Sequence, residues 1–401
     1  MRSFVARPAE THAKGGMLLS VEDYATAERA GMVRLPNRII ECSRAITFAH
    51  EGYPTAAHSI EAIGRYADVM HEGRIRATSD QFLLGGITEE EFELVRTVTA
   101  AVVRLSETVY GKRQVATGSL LRALNVYRQI NILYPERNTT ILEIGHGSGY
   151  LGALLACSGY GYASVDIAQG FYLYQNHLLN TLLGSERVTE LANDDRPLDA
   201  FSEVRARSTL HIPWWKFFVP EPHAILKVDV ITCNHALAEM HVNALSYVVK
   251  FARQMLQRAN GGFLFEGWGS TVLRPIWSVS KRFADFGYVI AHNDIWASVF
   301  VPLECPAAKH GLALPLPCRN DAAIDVARYP EAAFTAMFHP PIYANANNAI
   351  SAKLTQGRQE IAAKAKRTLA DVEAMWREYL GQSDIASDDE RFGRFIERSG
   401  F

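Results

Sequence analysis

Residues 139–152 read Thr-Thr-Ile-Leu-Glu-Ile-Gly-His-Gly-Ser-Gly-Tyr-Leu-Gly. An apolar run ends on Gly145, two more glycines follow at 147 and 149, and a helical pattern opens through Leu151, Leu154 and Leu155. Glycine lets a chain turn sharply and lets a ligand come close to the backbone. Asp166 closes the next apolar run, 21 residues after Gly145. A carboxylate at that place can accept both hydroxyls of a ribose. The segment therefore predicts a site for an adenosine-containing cofactor at the C-terminal edge of parallel strands.

The surrounding chain alternates strands and helices. Strands are expected at 139–144, 162–167, 228–233 and 262–266, with helices at 170–183, about 236–257 and about 272–286. Two further strands, 288–292 and 296–303, are joined by only three residues. Alternation implies right-handed crossovers and a mostly parallel sheet. The last connection is too short for a crossover, so the final strand should run antiparallel. Two segments compete for the third strand. One is the aromatic run 211–218, whose Trp214 or Trp215 would stack on a sugar face or pack the core. The other is 188–192, which would let Asp194 or Asp195 reach an adenine.

The glycine loop admits two cofactors. Gly147 to Gly152 is a literal GxGxxG, and Asp166 sits at the spacing an NAD site needs. Glu143, two residues before Gly145, gives instead Glu-x-Gly-x-Gly-x-Gly. That pattern resembles motif I of the class I S-adenosylmethionine (SAM)-dependent methyltransferases, with Asp166 as the following acidic motif. The resemblance extends through 166–179, through Asp229-Val-Ile-Thr-Cys-Asn-His-Ala-Leu-Ala-Glu-Met and through Gly262-Phe-Leu-Phe-Glu-Gly. These segments look like a bacterial group described as sugar O-methyltransferases, over roughly residues 80–305. The resemblance implies a Rossmann-like methyltransferase sheet with SAM as cofactor. It implies Glu143, Gly145, Gly147, Gly149, Asp166 and Asn234 as cofactor-binding residues. The implied acceptor is a hydroxyl of a sugar or glycosylated small molecule.

An alcohol is a poor nucleophile at neutral pH, so methyl transfer to one calls for a positioned base. His235 and Glu239 are four apart at the start of the helix expected after the fourth strand, and there they would share a face. The expectation is His235 as general base with Glu239 as its partner, or Glu239 itself as base. Glu266 ends the next strand and either faces the same pocket or caps a helix. Asn234-His235 replaces paired aspartates at the strand end, so no metal is predicted. Methyl transfer to nitrogen, and an NAD(P)-dependent oxidoreductase, are the alternative functions.

The catalytic domain so predicted spans 139–306. Residues 1–138 read as a helical cap for substrate or dimer contacts, with a helix start at Ser20–Asp23 and apolar stripes over 58–71, 89–109 and 118–132. Residues 307–401 read as a Pro/Ala/Asn-rich linker followed by one long helix over 349–380. Charge is nearly balanced, 41 Lys+Arg against 43 Asp+Glu, which argues against a general electrostatic hold on nucleic acid. Five scattered cysteines without a CxxC pair make neither a disulfide framework nor a zinc site. The first sixteen residues lack the apolar centre of a secretory signal, and no run is long enough to cross a membrane. A cytoplasmic enzyme with a small-molecule acceptor, and homodimer contacts through the helical segments, completes the expectation.

Overall fold

The structure is a computed structural model that describes residues 18–43, 56–69, 83, 85–194, 207–218, 226–256, 261–267, 276–316 and 342–381. Its helices are α1 (Val21–Met32), α2 (Asn37–Ser43), α3 (Ile60–Val69), α4 (Glu89–Tyr110), α5 (Thr117–Leu133), α6 (Tyr150–Cys157), α7 (Gln169–Leu183), α8 (Trp214–Phe217), α9 (Val242–Met255), α10 (Ile276–Asp285), α11 (Ala349–Lys364) and α12 (Leu369–Leu380). Its strands are β1 (Thr140–Ile144), β2 (Gly161–Asp166), β3 (Val188–Glu190), β4 (Thr209–Pro213), β5 (Val230–Thr232), β6 (Gly262–Phe265), β7 (Tyr288–Asn293) and β8 (Ser298–Pro302).

The eight strands form one sheet in the order β3-β4-β2-β1-β5-β6-β8-β7. Every pairing is parallel except the two made by β8, which runs antiparallel to both β6 and β7. This is the expected Rossmann-like α/β sheet with its last strand reversed. The turn between β7 and β8 closes on Asp294, whose Oδ1 accepts from the backbone N–H groups of Trp296 and Ala297. Strand order reverses at β1, which lies between β2 and β5, and ligand crevices open at such a reversal.

Both candidates for the third strand are strands. β4 pairs with β2 in the interior and β3 covers its outer edge. Trp214 and Trp215 are core residues. Trp214 donates its indole N–H to Glu28 and Trp215 packs edge-on against Tyr24.

The N-terminal helices form where capping and apolar spacing predict. Ser20 caps α1 by accepting from the Asp23 N–H, and Thr88 and Glu91 form a reciprocal capping box at the start of α4. Val95, Val98, Val102 and Leu105 of α4 are buried. One hydrophobic cluster joins these helices to the sheet and to the C-terminal helices, from Leu19 to Leu380. Each fully buried Leu or Val in it contributes about 1.5–3 kcal/mol of transfer free energy.

Two helix boundaries differ from the sequence reading. The helix expected from Ala236 begins only at Val242, and residues 234–239 are turn. His235 lies in that turn with a left-handed φ of +61°. The single helix expected over 349–380 is two helices. The chain breaks at Ala365–Thr368, where the Ile87 and Arg367 backbones bridge and Thr368 opens a new capping box. Residues 1–17, 317–341 and 382–401, with Asp195 and Cys318, lie outside the described residues.

Candidate functional site

A cavity of about 280 Å³ opens at the C-terminal ends of β1, β2, β5 and β6. Its walls include Glu143, Gly145, Gly147, Asp166, Asn234, His235, Glu239 and Glu266. Glu266 and seven of the eight residues predicted to bind cofactor or act as base therefore line one space. The eighth, Gly149, completes the loop one residue beyond Ser148, which also lines it.

The glycine loop needs its glycines. Gly145 and Gly149 both have φ of +71° and Gly147 has φ of +51°. A Cβ on Gly145 would lie 2.6 Å from the Ala236 Cβ, and one on Gly149 would lie 2.7 Å from Gln175 Cγ. The loop is tied to β2 twice. Gly145 N–H donates to the Val165 carbonyl at 2.8 Å, and Gly147 N–H donates to Asp166 Oδ2 at 3.3 Å. Asp166 Oδ1 accepts from Ala168 N–H.

Burial shapes the acids. Burial pushes Asp166 up to about 6, against the lowering effect of its backbone hydrogen bonds. Burial likewise pushes Glu143 up to about 8. Hydrogen bonds from Tyr162 and Asn234 oppose this shift, and the nearby Asp166 charge adds to it. A cationic ligand beside these two carboxyls would draw both toward the ionised form. His146, within the loop, is buried, and burial first and His211 second hold it well below the usual imidazole range.

His235 and Glu239 line the cavity from the turn after β5, not from a helix face. The partner of His235 is Glu266: Nε2 and Oε2 are 2.7 Å apart. Of the two readings of Glu266, facing the pocket is the one that holds. The turn is tied to the β6 end by His235 N–H donating to the Gly267 carbonyl, and by Glu266 N–H donating to Asn234 Oδ1 at 2.9 Å. Asn234 Nδ2 donates in turn to Thr232 Oγ1. The ring of His235 lies over Gly267, where a Cβ would fall 1.9 Å from its Cε1.

Arg122 was not singled out by the sequence reading. It projects from α5 into the cavity and pairs with Glu266. Its one visible signal is a charge flanked by Leu120, Leu121, Ala123 and Leu124 in an otherwise apolar stretch. The remaining walls, among them Phe171, Phe218 and Met240, are largely apolar. Asp194, the candidate for an adenine contact, lines a separate hollow beside β3.

Among the described residues no group of three or more His, Cys, Asp or Glu could hold a metal ion, and no helix is long and apolar enough to cross a membrane. Cys233 is buried, and burial raises its thiol well above the usual range.

No family model and no curated protein sequence matches the chain. Among solved structures, it is similar to the crystal structure of magnesium protoporphyrin IX methyltransferase from Synechocystis PCC 6803 with bound SAM. Identity is 13%, over 50% of this chain and 90% of that one, with a TM-score of 0.30. The site is accordingly read from its own residues.

Proposed function

We propose that the chain is a SAM-dependent methyltransferase that acts on a hydroxyl of a sugar or glycosylated small molecule. The observation that carries this reading is the convergence, around one cavity, of a glycine loop, two buried acids and a histidine paired with a carboxylate.

The residues fit SAM. Gly145, Gly147 and Gly149 leave a bare, left-handed backbone at the loop, and a Cβ on Gly145 or Gly149 would run into Ala236 or Gln175. Asp166 would accept ribose hydroxyls, and Glu143, protonated near neutral pH without ligand, would be drawn to its ionised form by a cationic methionine group. Asn234 holds the β5 and β6 loops together at the same edge. SAM supplies a methyl group on a positively charged sulfur, which leaves as the neutral thioether when an acceptor oxygen takes the methyl. The protein's own contribution is alignment and proton removal. His235 takes the hydroxyl proton as general base, and Glu239 faces the same cavity as the second candidate base. The N-terminal and C-terminal helical segments serve acceptor selection and homodimer contacts.

Calorimetric titration with SAM, S-adenosylhomocysteine and NAD tests the cofactor. Binding of NAD without SAM would replace this reading with a dehydrogenase. Incubating a panel of sugars, glycosides and amines with methyl-labelled SAM, followed by mass spectrometry, tests the acceptor. Label on amines alone would make it an N-methyltransferase.

A further inference from the structure

Three residues from distant segments meet at one ring nitrogen. Arg122 on α5 grips the Glu266 carboxylate with two contacts, Nε to Oε2 at 3.2 Å and Nη2 to Oε1 at 3.3 Å. Oε2 of that carboxylate is 2.7 Å from His235 Nε2, and Arg122 Nη2 also contacts this nitrogen. The Glu266 side chain is only 7% exposed, whereas that of His235 is 37% exposed, so the imidazole is open to the cavity and the carboxylate is not.

A neutral imidazole carries its proton on one nitrogen and a lone pair on the other. With the proton on Nδ1, a bare Nε2 would face an ionised carboxylate oxygen at 2.7 Å. With the proton on Nε2, the same contact becomes a charge-assisted hydrogen bond; the donor-only Arg122 Nη2 at this nitrogen pulls the other way, and the ionised carboxylate has the stronger claim on the proton. Glu266 is ionised. Burial pushes it up, but His235 and Arg122 outweigh burial and bring it down to about 2.

We propose that Arg122 and Glu266 are positioning residues that hold the His235 proton on Nε2 and thereby present the Nδ1 lone pair to the acceptor hydroxyl. The proposal rests on the reading of His235 as general base. The hydroxyl proton passes to Nδ1, the ring becomes an imidazolium, and Glu266 stabilises that cation. Arg122 has two opposing effects. Its fork fixes the plane of the carboxylate, while its charge opposes the imidazolium that forms in the step. Charged groups facing the ring or its cavity are Arg122 from α5, Glu266 from the end of β6, Glu239 from the turn after β5, and Glu143 and Asp166 from β1 and β2. The helical segment before the sheet thus supplies part of the proton-transfer apparatus.

The test uses the full chain with ¹⁵N-labelled histidine and long-range ¹H–¹⁵N spectra, with His235 assigned by its loss in His235→Gln. At mildly alkaline pH the wild-type ring should show a protonated Nε2 and a bare Nδ1. Its titration midpoint should rise by about one pH unit in Arg122→Gln and fall by a similar amount in Glu266→Gln, the scale of one near charge. Arg122→Lys should return the midpoint close to wild type. A proton on Nδ1, or midpoints that fail to move in opposite directions, overturns the proposal. Calorimetric SAM titration of the same samples separates the two readings. SAM binding with the wrong tautomer defeats the positioning role alone, and no SAM binding to the wild type defeats the cofactor assignment.

Discussion

Tyr162 donates its hydroxyl to Glu143 Oε2 at 2.6 Å, linking β2 to β1 beneath the glycine loop. Gln175 Nε2 donates to the same hydroxyl at 2.9 Å, so the acid that opens the loop rests on a chain of buried polar groups. Glu143 pushed up to about 8 keeps a proton in the folded chain that the unfolded chain has already released near its ordinary value of 4.5. Stability from this group is thus fully present below pH 4.5 and is lost as pH rises through about 8. Asp166 acts in the same direction between 3.8 and about 6. Urea denaturation of the wild type should therefore give falling stability across neutral pH, at up to about 1.4 kcal/mol per unit per group. Glu143→Gln should flatten the upper part of that slope. An unchanged slope would contradict the protonated state of Glu143.

Gly145→Ala and Gly149→Ala each place a Cβ within 2.7 Å of a neighbour at a left-handed φ. Strain of about 1–2 kcal/mol falls on the loop itself. Calorimetry should show SAM affinity reduced at least tenfold, while the far-ultraviolet circular dichroism stays that of the wild type.

Gly267→Ala should expel the His235 ring, because the new methyl would occupy the place of Cε1. Methyl transfer is expected to fall with SAM binding retained. A fully active variant would remove His235 from the reaction.

His235→Ala and Glu239→Ala separate the two candidate bases. Loss of the true base should lower kcat by about 10²–10⁴ with little change in SAM affinity. The other variant should keep most of its turnover, and full activity in both would discard the general-base mechanism.

Arg358 of α11 pairs with Asp294 in the β7–β8 turn, lies 4.9 Å over the Trp296 ring and donates to Gln129 of α5 at 2.8 Å. Burial pushes Asp294 up, but His292 and Arg358 hold it at about 2. Arg358→Ala removes the guanidinium from a buried carboxylate and leaves it His292 and two backbone N–H groups, and should cost about 3–5 kcal/mol in denaturant unfolding. A loss below 1 kcal/mol would show that the C-terminal helices do not lean on this anchor.

The parallel sheet, its reversed last strand and the glycine loop were legible because each rests on local pattern. Strand length, glycine spacing and one short connection suffice for them. The site was legible only where strand ends carried it. Leu237, Met240 and Ala244 are apolar at helical spacing, so the turn that holds His235 reads as helix, and nothing local announces a left-handed residue. Arg122 was missed for a different reason: it is 144 positions from Glu266, and a contact that distant leaves no periodic trace. The break in the C-terminal helix depends on the backbone of Ile87, which is more remote still.

His235 faces the cavity at a backbone angle that few non-glycine residues adopt, a state that costs about 1–3 kcal/mol. The same position is therefore a weak point of the fold. Glycine there would relax the backbone and raise the melting temperature while removing the imidazole. Selection for thermal robustness alone would erode residue 235 early, and a stabilised yet inactive chain would be its signature.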